Sequence, residues 1–166
     1  MKLNVIVVLA MALGLGACSS TANKPSGELG ATANDNTRAV SNAVDVEQQK
    51  LQAATKALAA NSIYFDYNQY TLKSDAQAVL QKDAAILTST PKLNISLEGN
   101  TDDRGSREFN LALGQKRAEA VKKALQILGV PDARMEAVSY GMEHPRASCE
   151  EESCWSQNRR VDITTK

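Results

Sequence analysis

An α+β fold is what this 166-residue chain predicts: a two-layer sandwich in which helices cover one side of a sheet, the elements running β-α-β-α-β-β. Residues 61–166 alternate between a period of two and a period near 3.6, and glycine or proline marks the joints. Ser62 to Tyr67 is rich in aromatics and reads as the first strand. Ser74 and Gln77 have the spacing of a capping box, and Ala76, Val79, Leu80, Ala84 and Leu87 then share one helical face until Pro91 closes it. Leu93, Ile95 and Leu97 alternate with Asn94, Ser96 and Glu98, the pattern of a half-buried strand ending at Gly99. After a loop from Gly99 to Gly105, Ser106 can cap a long helix that reaches Leu128 and stops at Gly129 and Pro131. Met135 to Tyr140 and Arg160 to Thr164 complete the sheet as two short strands.

Upstream of that domain the chain changes character three times. Met1 and Lys2 precede an apolar stretch from Leu3 to Leu15, the layout of a secretory signal. The stretch is shorter than the roughly 20 apolar residues a membrane-spanning helix needs, so removal rather than retention is expected. Its end, Leu15-Gly16-Ala17-Cys18, resembles the lipobox of bacterial lipoproteins, which implies cleavage after residue 17 and lipidation of Cys18. Ser19 stands where an aspartate would favour the inner membrane, so the resemblance implies delivery to the outer membrane, with the domain facing the periplasm. Residues 19–36 are Ser, Thr, Ala, Asn and Gly with hardly any large apolar side chain, the composition of a flexible tether. From 37 to 60, Val40, Val44, Leu51, Ala54 and Leu58 recur at helical spacings. That thin stripe is expected to belong to a mostly solvated spacer, with packing on the domain or on a partner as the alternative. The organisation read from sequence is therefore a signal at 1–17, a lipidated N-terminus and linker at 18–60, and a folded domain at 61–166.

Charge and cysteines exclude several classes. Removing residues 1–17 takes away Lys2 alone, leaving 18 basic against 19 acidic residues, and so neutral a chain offers no electrostatic case for nucleic acid. With Cys18 assigned to lipid, Cys149 and Cys154 remain as a pair in an oxidising compartment, where a disulfide is the natural state. The rival is a metal site with His144, but two cysteines and one histidine lack a fourth ligand; neither a metal nor a cofactor is expected. Trp155 beside the pair is expected to anchor the loop. Catalysis is poorly supported, since the single histidine, His144, lies in a loop before Pro145 and no glycine-framed serine occurs. Asp102 and Asp103 are adjacent and would tend to point apart in an extended loop rather than share a proton.

One residue breaks the helix pattern. The apolar stripe Leu113, Val121, Ala124, Leu125 and Leu128 has Arg117 in the row, four residues from Leu113 and four from Val121. The guanidinium either snorkels to water or needs a carboxylate, because an unpaired buried charge is costly. Asp102 and Asp103, in the loop just before the helix, can supply one. The pair is then either a structural salt bridge or a site for a zwitterion, with the aspartate taking an ammonium and the arginine a carboxylate.

The residues Gly99-Asn100-Thr101-Asp102-Asp103-Arg104-Gly105, Phe109-Asn110-Leu111 and Leu113-Gly114-Gln115-Lys116-Arg117-Ala118 resemble the signature of OmpA-like peptidoglycan-binding domains. The resemblance is nearest to the peptidoglycan-associated lipoproteins and runs from Ile63-Tyr64-Phe65-Asp66 through Val138-Ser139-Tyr140-Gly141 to Asn158-Arg159-Arg160. It implies non-catalytic recognition of meso-diaminopimelate in the peptide stem, with Asp102 and Arg117 holding its headgroup and Leu113 lining the site. Backbone amides near Phe65 and Asn68 would help with carboxylates, and Thr101, Arg104 and Asn158 fall among the contacts. It also implies tethering of the outer membrane to the wall and partnership with the Tol system in envelope integrity and division. A wall-binding lipoprotein without a Tol role, or a wall hydrolase, are the alternatives. Three departures matter: Asn68 where the family often has aspartate, Asn100 where many members have histidine, and the cysteine pair in a loop near partner-binding surfaces.

Overall fold

The computed structural model describes residues 34–166, with side chains from Val44 onward; the apolar leader, Cys18 and the tether lie outside the described residues. Among the latter no helix is long and apolar enough to cross a membrane.

Four strands form one sheet in the order β1-β4-β2-β3. They are β1 (Ser62–Tyr64), β2 (Ile95–Asn100), β3 (Met135–Gly141) and β4 (Arg160–Thr165). Antiparallel pairing joins β1 to β4 and β4 to β2, whereas β2 and β3 run parallel. The crossover between the parallel strands is α3 (Arg107–Ile127), and α2 (Ser74–Ser89) links β1 to β2. The expected order of the six elements holds, with two additions: α1 (Asn34–Ala59) before the sheet, and the short α4 (Glu152–Asn158) between β3 and β4.

Alternation builds the core. Ile95 and Leu97 of β2 register with Met135 and Ala137 of β3, and Leu97 with Ile163 of β4. Together with Ile63 and Val161 they meet Leu80, Ala84 and Leu87 of α2 and Ala118, Val121 and Leu125 of α3. At roughly 1.5–3 kcal/mol for each large apolar side chain removed from water, this cluster is the main source of stability. The opposite face of β2 is also closed: Ser96 is buried and Glu98 accepts from the Thr164 hydroxyl at 2.7 Å. The strand was expected to be half-buried; as a central strand it is covered on both faces.

Other expectations are corrected. The predicted first strand ends at Tyr64, because after the Phe65 amide donates to the Arg159 carbonyl the chain turns at Asp66–Gln69, with Asn68 at φ +54°. No capping box forms at α2: Lys73 is the N-cap and Ser74 is already the first helical residue. Leu72 packed on the core and Lys73 paired with Asp66 at 3.3 Å fix that register. At α3 the Ser106 side chain does accept from the Phe109 amide. Gly129, at φ +94°, lets its own amide and that of Val130 reach back to Gln126 and Leu125, a Schellman end. Finally, α1 is more than a solvated spacer. Ala54 and Leu58 lie in the core, Leu51 packs against it, and the Lys50 ammonium donates to the Ser89 carbonyl. Further up the stripe, Val44 stays in solvent at 58% exposure.

Candidate functional site

A close approach of two glycines sets the site. Gly114 of α3 lies so near Gly99 of β2 that a Cβ on Gly114 would come within 2.8 Å of the Gly99 carbonyl oxygen and strike the Ser139 hydroxyl. With no side chain between them, α3 settles onto the end of β2, where the register shifts between Gly99 and Asn100. Three residues further along α3, Arg117 therefore lies beneath the loops that leave the sheet.

Arg117 is fully buried, not snorkelled. Its Nε donates to the Gln69 carbonyl at 2.8 Å, Nη1 to the Asn100 carbonyl at 2.9 Å and Nη2 to the Asp66 carbonyl at 3.1 Å. The Phe65 ring lies 5.2 Å from the guanidinium carbon. Burial pushes its pKa down to about 10, with Asp102 acting in the opposite direction and Arg159 adding to the depression. A guanidinium has five N–H donors, so these three bonds leave two, and among the described residues no carboxylate forms an ion pair with it. The sequence leaves Arg117 either snorkelled to water or paired with a carboxylate of Asp102 or Asp103; the loop backbone satisfies it, and Asp102 acts on it through space.

Asp102 is nearly as buried, at 3% exposure, and is surrounded by arginines. Its Oδ2 accepts from Arg104 Nη2 at 2.5 Å and from Arg159 Nη1 at 3.2 Å. Arg159 also pairs with Glu152 of α4 and donates to the Phe65 carbonyl at 3.0 Å. Burial lowers the Arg159 pKa, but hydrogen bonds from Glu152 and Asp102 outweigh it and leave a net rise; Arg159 in turn holds the Glu152 carboxyl below its usual range. Arg104 is stacked between two rings, 4.0 Å from the Tyr67 centroid and 4.1 Å from that of Trp155. Its hydrogen bond to Asp102 raises its pKa.

The other predicted residues divide. Leu113 is buried one turn before Arg117. Phe65 is buried, but its amide already bonds to the Arg159 carbonyl and so is not available to a ligand in this conformation. Asn68 is exposed on the turn that Arg117 holds. Thr101 is buried with its amide on the Gly141 carbonyl and its hydroxyl without a partner. It lines a cleft of about 320 Å³ shared with Asp103, Met142, Cys149 and Asn158. The Asn158 side chain accepts from the Arg146 and Ala147 amides and donates to the Ala147 carbonyl, so it pins that loop. Cys149 and Cys154 form a disulfide, which removes both thiolates from any metal site. His144 stacks on Tyr140 at 4.0 Å.

Sequence reasoning did not bring in Tyr67 or Glu152, and it treated Trp155 as a loop anchor. Arg159 pairs with Asp102 and Glu152. No spacing signal marks these residues. They converge because β1 and β4 are antiparallel, which sets Phe65 beside Arg159 across almost the whole domain sequence.

A model described as the OmpA family matches residues 64–159. The peptidoglycan-associated lipoprotein of Pseudomonas putida is 42% identical over 159 residues, covering 95% of this chain and 92% of its own. That of Agrobacterium fabrum is 39% identical over 158 residues, covering 94% and 84%. Among solved structures, the peptidoglycan-associated lipoprotein from Burkholderia pseudomallei is 53% identical with a TM-score of 0.64, covering 66% of this chain and 93% of that one. The C-terminal domain of Helicobacter pylori MotB is 26% identical with a TM-score of 0.60, covering 64% and 84%. None of these names is that of an enzyme.

Proposed function

From a chain that belongs to the OmpA family, and within it to the peptidoglycan-associated lipoproteins, we infer a non-catalytic protein that holds the diaminopimelate-bearing peptide stem of peptidoglycan at the Asp102–Arg117 site. The observation that carries the reading is the charge state of Arg117: a fully buried guanidinium with two donors to spare and no contact counterion. Such an arrangement is costly for a fold that gains nothing from it, and a ligand carboxylate relieves it. Asp102 supplies the opposite pole for an ammonium. The end of the diaminopimelate side chain carries both groups on one carbon; lysine carries the ammonium alone. Leu113 and Phe65 supply apolar walls, and the Asp66–Gln69 turn, held from below by Arg117, presents Asn68 at the rim.

The same reading extends to the rest of the chain. Cys18 is the lipid attachment point, the domain faces the periplasm, and the protein ties the outer membrane to the wall while acting with Tol proteins in envelope integrity. The names of the relatives support the lipoprotein and wall-associated parts; the Tol role rests on the family resemblance of the motifs.

Purified sacculi test it. The full chain in detergent should sediment with diaminopimelate walls, bind lysine-containing walls much less, and release no soluble fragments. Asp102→Ala should weaken binding by about 2 to 5 kcal/mol, since it leaves the ligand's ammonium unmatched in a desolvated site. Equal binding to both walls, or an unaffected Asp102→Ala, would overturn the assignment.

A further inference from the structure

Arg104 stands where a ligand's ammonium must go. Its Nη2 takes Asp102 Oδ2 at 2.5 Å, its guanidinium carbon is 4.0 Å and 4.1 Å from the Tyr67 and Trp155 ring centroids, and Glu152 lies 3.8 Å away. Two aromatic faces and two carboxylates are the composition of a cation-binding slot. The Arg104 side chain is nonetheless not fully satisfied: its Nε and the Trp155 Nε1 are both buried without a hydrogen-bond partner. Buried orphan donors are uncommon and call for a reason.

Charge counting gives one. With Arg104 in place, the guanidinium groups of Arg104, Arg117 and Arg159 face the carboxylates of Asp102 and Glu152, an excess of one positive charge. With Arg104 withdrawn, two cations face two anions, and the cluster is neutral, as a zwitterion headgroup is.

We propose that the slot between Tyr67 and Trp155 is a cation subsite occupied at rest by the chain's own Arg104, and that the ammonium of the wall ligand reaches Asp102 by displacing it. Arg104 is then an internal competitor that sets a threshold. A ligand with only an ammonium exchanges one cation for another and gains little. A ligand with a carboxylate on the same carbon also engages Arg117, and that surplus opens the slot. Apparent affinity is multiplied by the fraction of molecules in which the slot is open, a factor common to every ligand that must displace Arg104, so a ligand needs the second contact to bind usefully. The proposal rests on the assignment of Asp102 and Arg117 to a zwitterion.

Trp155 is the only tryptophan of the chain, so its fluorescence reports the slot directly. Soluble muropeptides ending in meso-diaminopimelate or in lysine are titrated into the full chain and into Arg104→Ala. The fold should tolerate this change, because the Asn110 side chain bonds to the backbone carbonyl of residue 104 and not to its side chain. Wild-type emission should shift on binding diaminopimelate. Arg104→Ala should bind both stems more tightly, by about tenfold if the latched form holds nine molecules in ten. Both stems should gain by the same factor, so the ratio between them is kept. Arg104→Gln, which removes the charge but keeps most of the side chain and the Trp155 reporter, should move affinity the same way, and it carries the test should circular dichroism show Arg104→Ala unfolded. Weaker binding by Arg104→Ala makes Arg104 a direct ligand contact and overturns the proposal, as does unchanged affinity. If the wild type binds neither stem, the wall-binding assignment itself fails. Methylguanidinium then decides the slot: it should saturate Arg104→Ala, shifting Trp155 emission, and leave the wild type unaltered. Absence of saturation overturns the slot.

Discussion

Two arginines grip the two ends of β2. At its start, Arg134 donates to the carbonyls of Leu87, Thr90 and Leu93, at 2.7 to 2.9 Å. At its end, Arg117 donates to those of Asp66, Gln69 and Asn100. Both use a planar fork to satisfy loop carbonyls that the sheet cannot reach. Their surroundings differ. Arg134 is half-buried; Arg117 is fully buried, with Asp102 and Arg159 acting on it and Arg104 and Glu152 paired with those two. The same local chemistry therefore serves stability at one end of the strand and leaves an unmet charge at the other. An unmet buried charge in a cluster of like and unlike charges is what distinguishes a binding site from a clamp.

Replacing the two arginines in parallel breaks this comparison most directly. Arg117→Ala should abolish sedimentation with sacculi and also cost about 3 to 5 kcal/mol of stability, because one buried and two part-buried carbonyls lose their donor and a cavity is left in its place. Arg134→Ala should cost about 1 to 3 kcal/mol and leave wall binding intact once the protein is folded. Urea titration and sedimentation, run on both, separate the effects. Arg134→Ala losing wall binding in proportion to Arg117→Ala would make both arginines clamps.

Much of this architecture is legible in the sequence, and the reasons for the gaps are physical. Alternation in Leu93 to Glu98 and the cap at Ser106 are local signals, and the structure keeps them with shifts of one or two residues. Arg117 stands out because a charge in an apolar row is unusual whatever surrounds it. Its partners were misassigned because backbone carbonyls carry no sequence signature, whereas Asp102 and Asp103 do. Glu152, Tyr67 and Trp155 carry no signature for a related reason: the β1–β4 and β4–β2 pairings together bring them to the loop after β2. The share of α1 in the core was underestimated because a stripe as thin as Leu51, Ala54 and Leu58 looks the same whether it packs or stays solvated.

Next in size is the glycine contact that brings Arg117 beneath its carbonyls. Gly114→Ala places a methyl group against the Gly99 carbonyl and the Ser139 hydroxyl, so α3 must lift from β2. Overpacking of this kind costs about 1 to 3 kcal/mol. Wall binding should fall by more than the stability loss explains, since the lift moves Arg117 and leaves Arg134, which lies outside α3, where it is. A second change, Ser139→Gly, relieves the side-chain part of the clash and should recover some stability. Binding that tracks the folded fraction alone would show that the site tolerates displacement of α3.

The smallest expected effect concerns a buried charge that has no site around it. Asp83 of α2 is fully buried; its Oδ1 accepts from the Asn61 side chain at 2.6 Å and its Oδ2 has no partner. Burial raises its pKa above the ordinary carboxylate value, with Asn61 and then Lys82 acting in the opposite direction. The folded state therefore holds the proton more tightly than the unfolded chain. The linkage gives stability that is greatest below the unfolded pKa and declines as pH rises through the folded one, the reverse of a paired carboxylate. Asp83→Asn keeps the shape, removes the titration and should stabilise the domain at neutral pH by about 1 kcal/mol. That gain should shrink as pH falls towards the ordinary carboxylate value of 3.8, because the wild-type group is then neutral as well. Thermal melts between pH 4 and pH 8 would read it, with sacculus binding unchanged throughout. Asp83 and Arg117 then separate on one criterion: neutralising the first improves the protein, and neutralising the second, as Arg117→Gln, removes its function. A loss of wall binding in Asp83→Asn would end that separation and place Asp83 in the same network as the site.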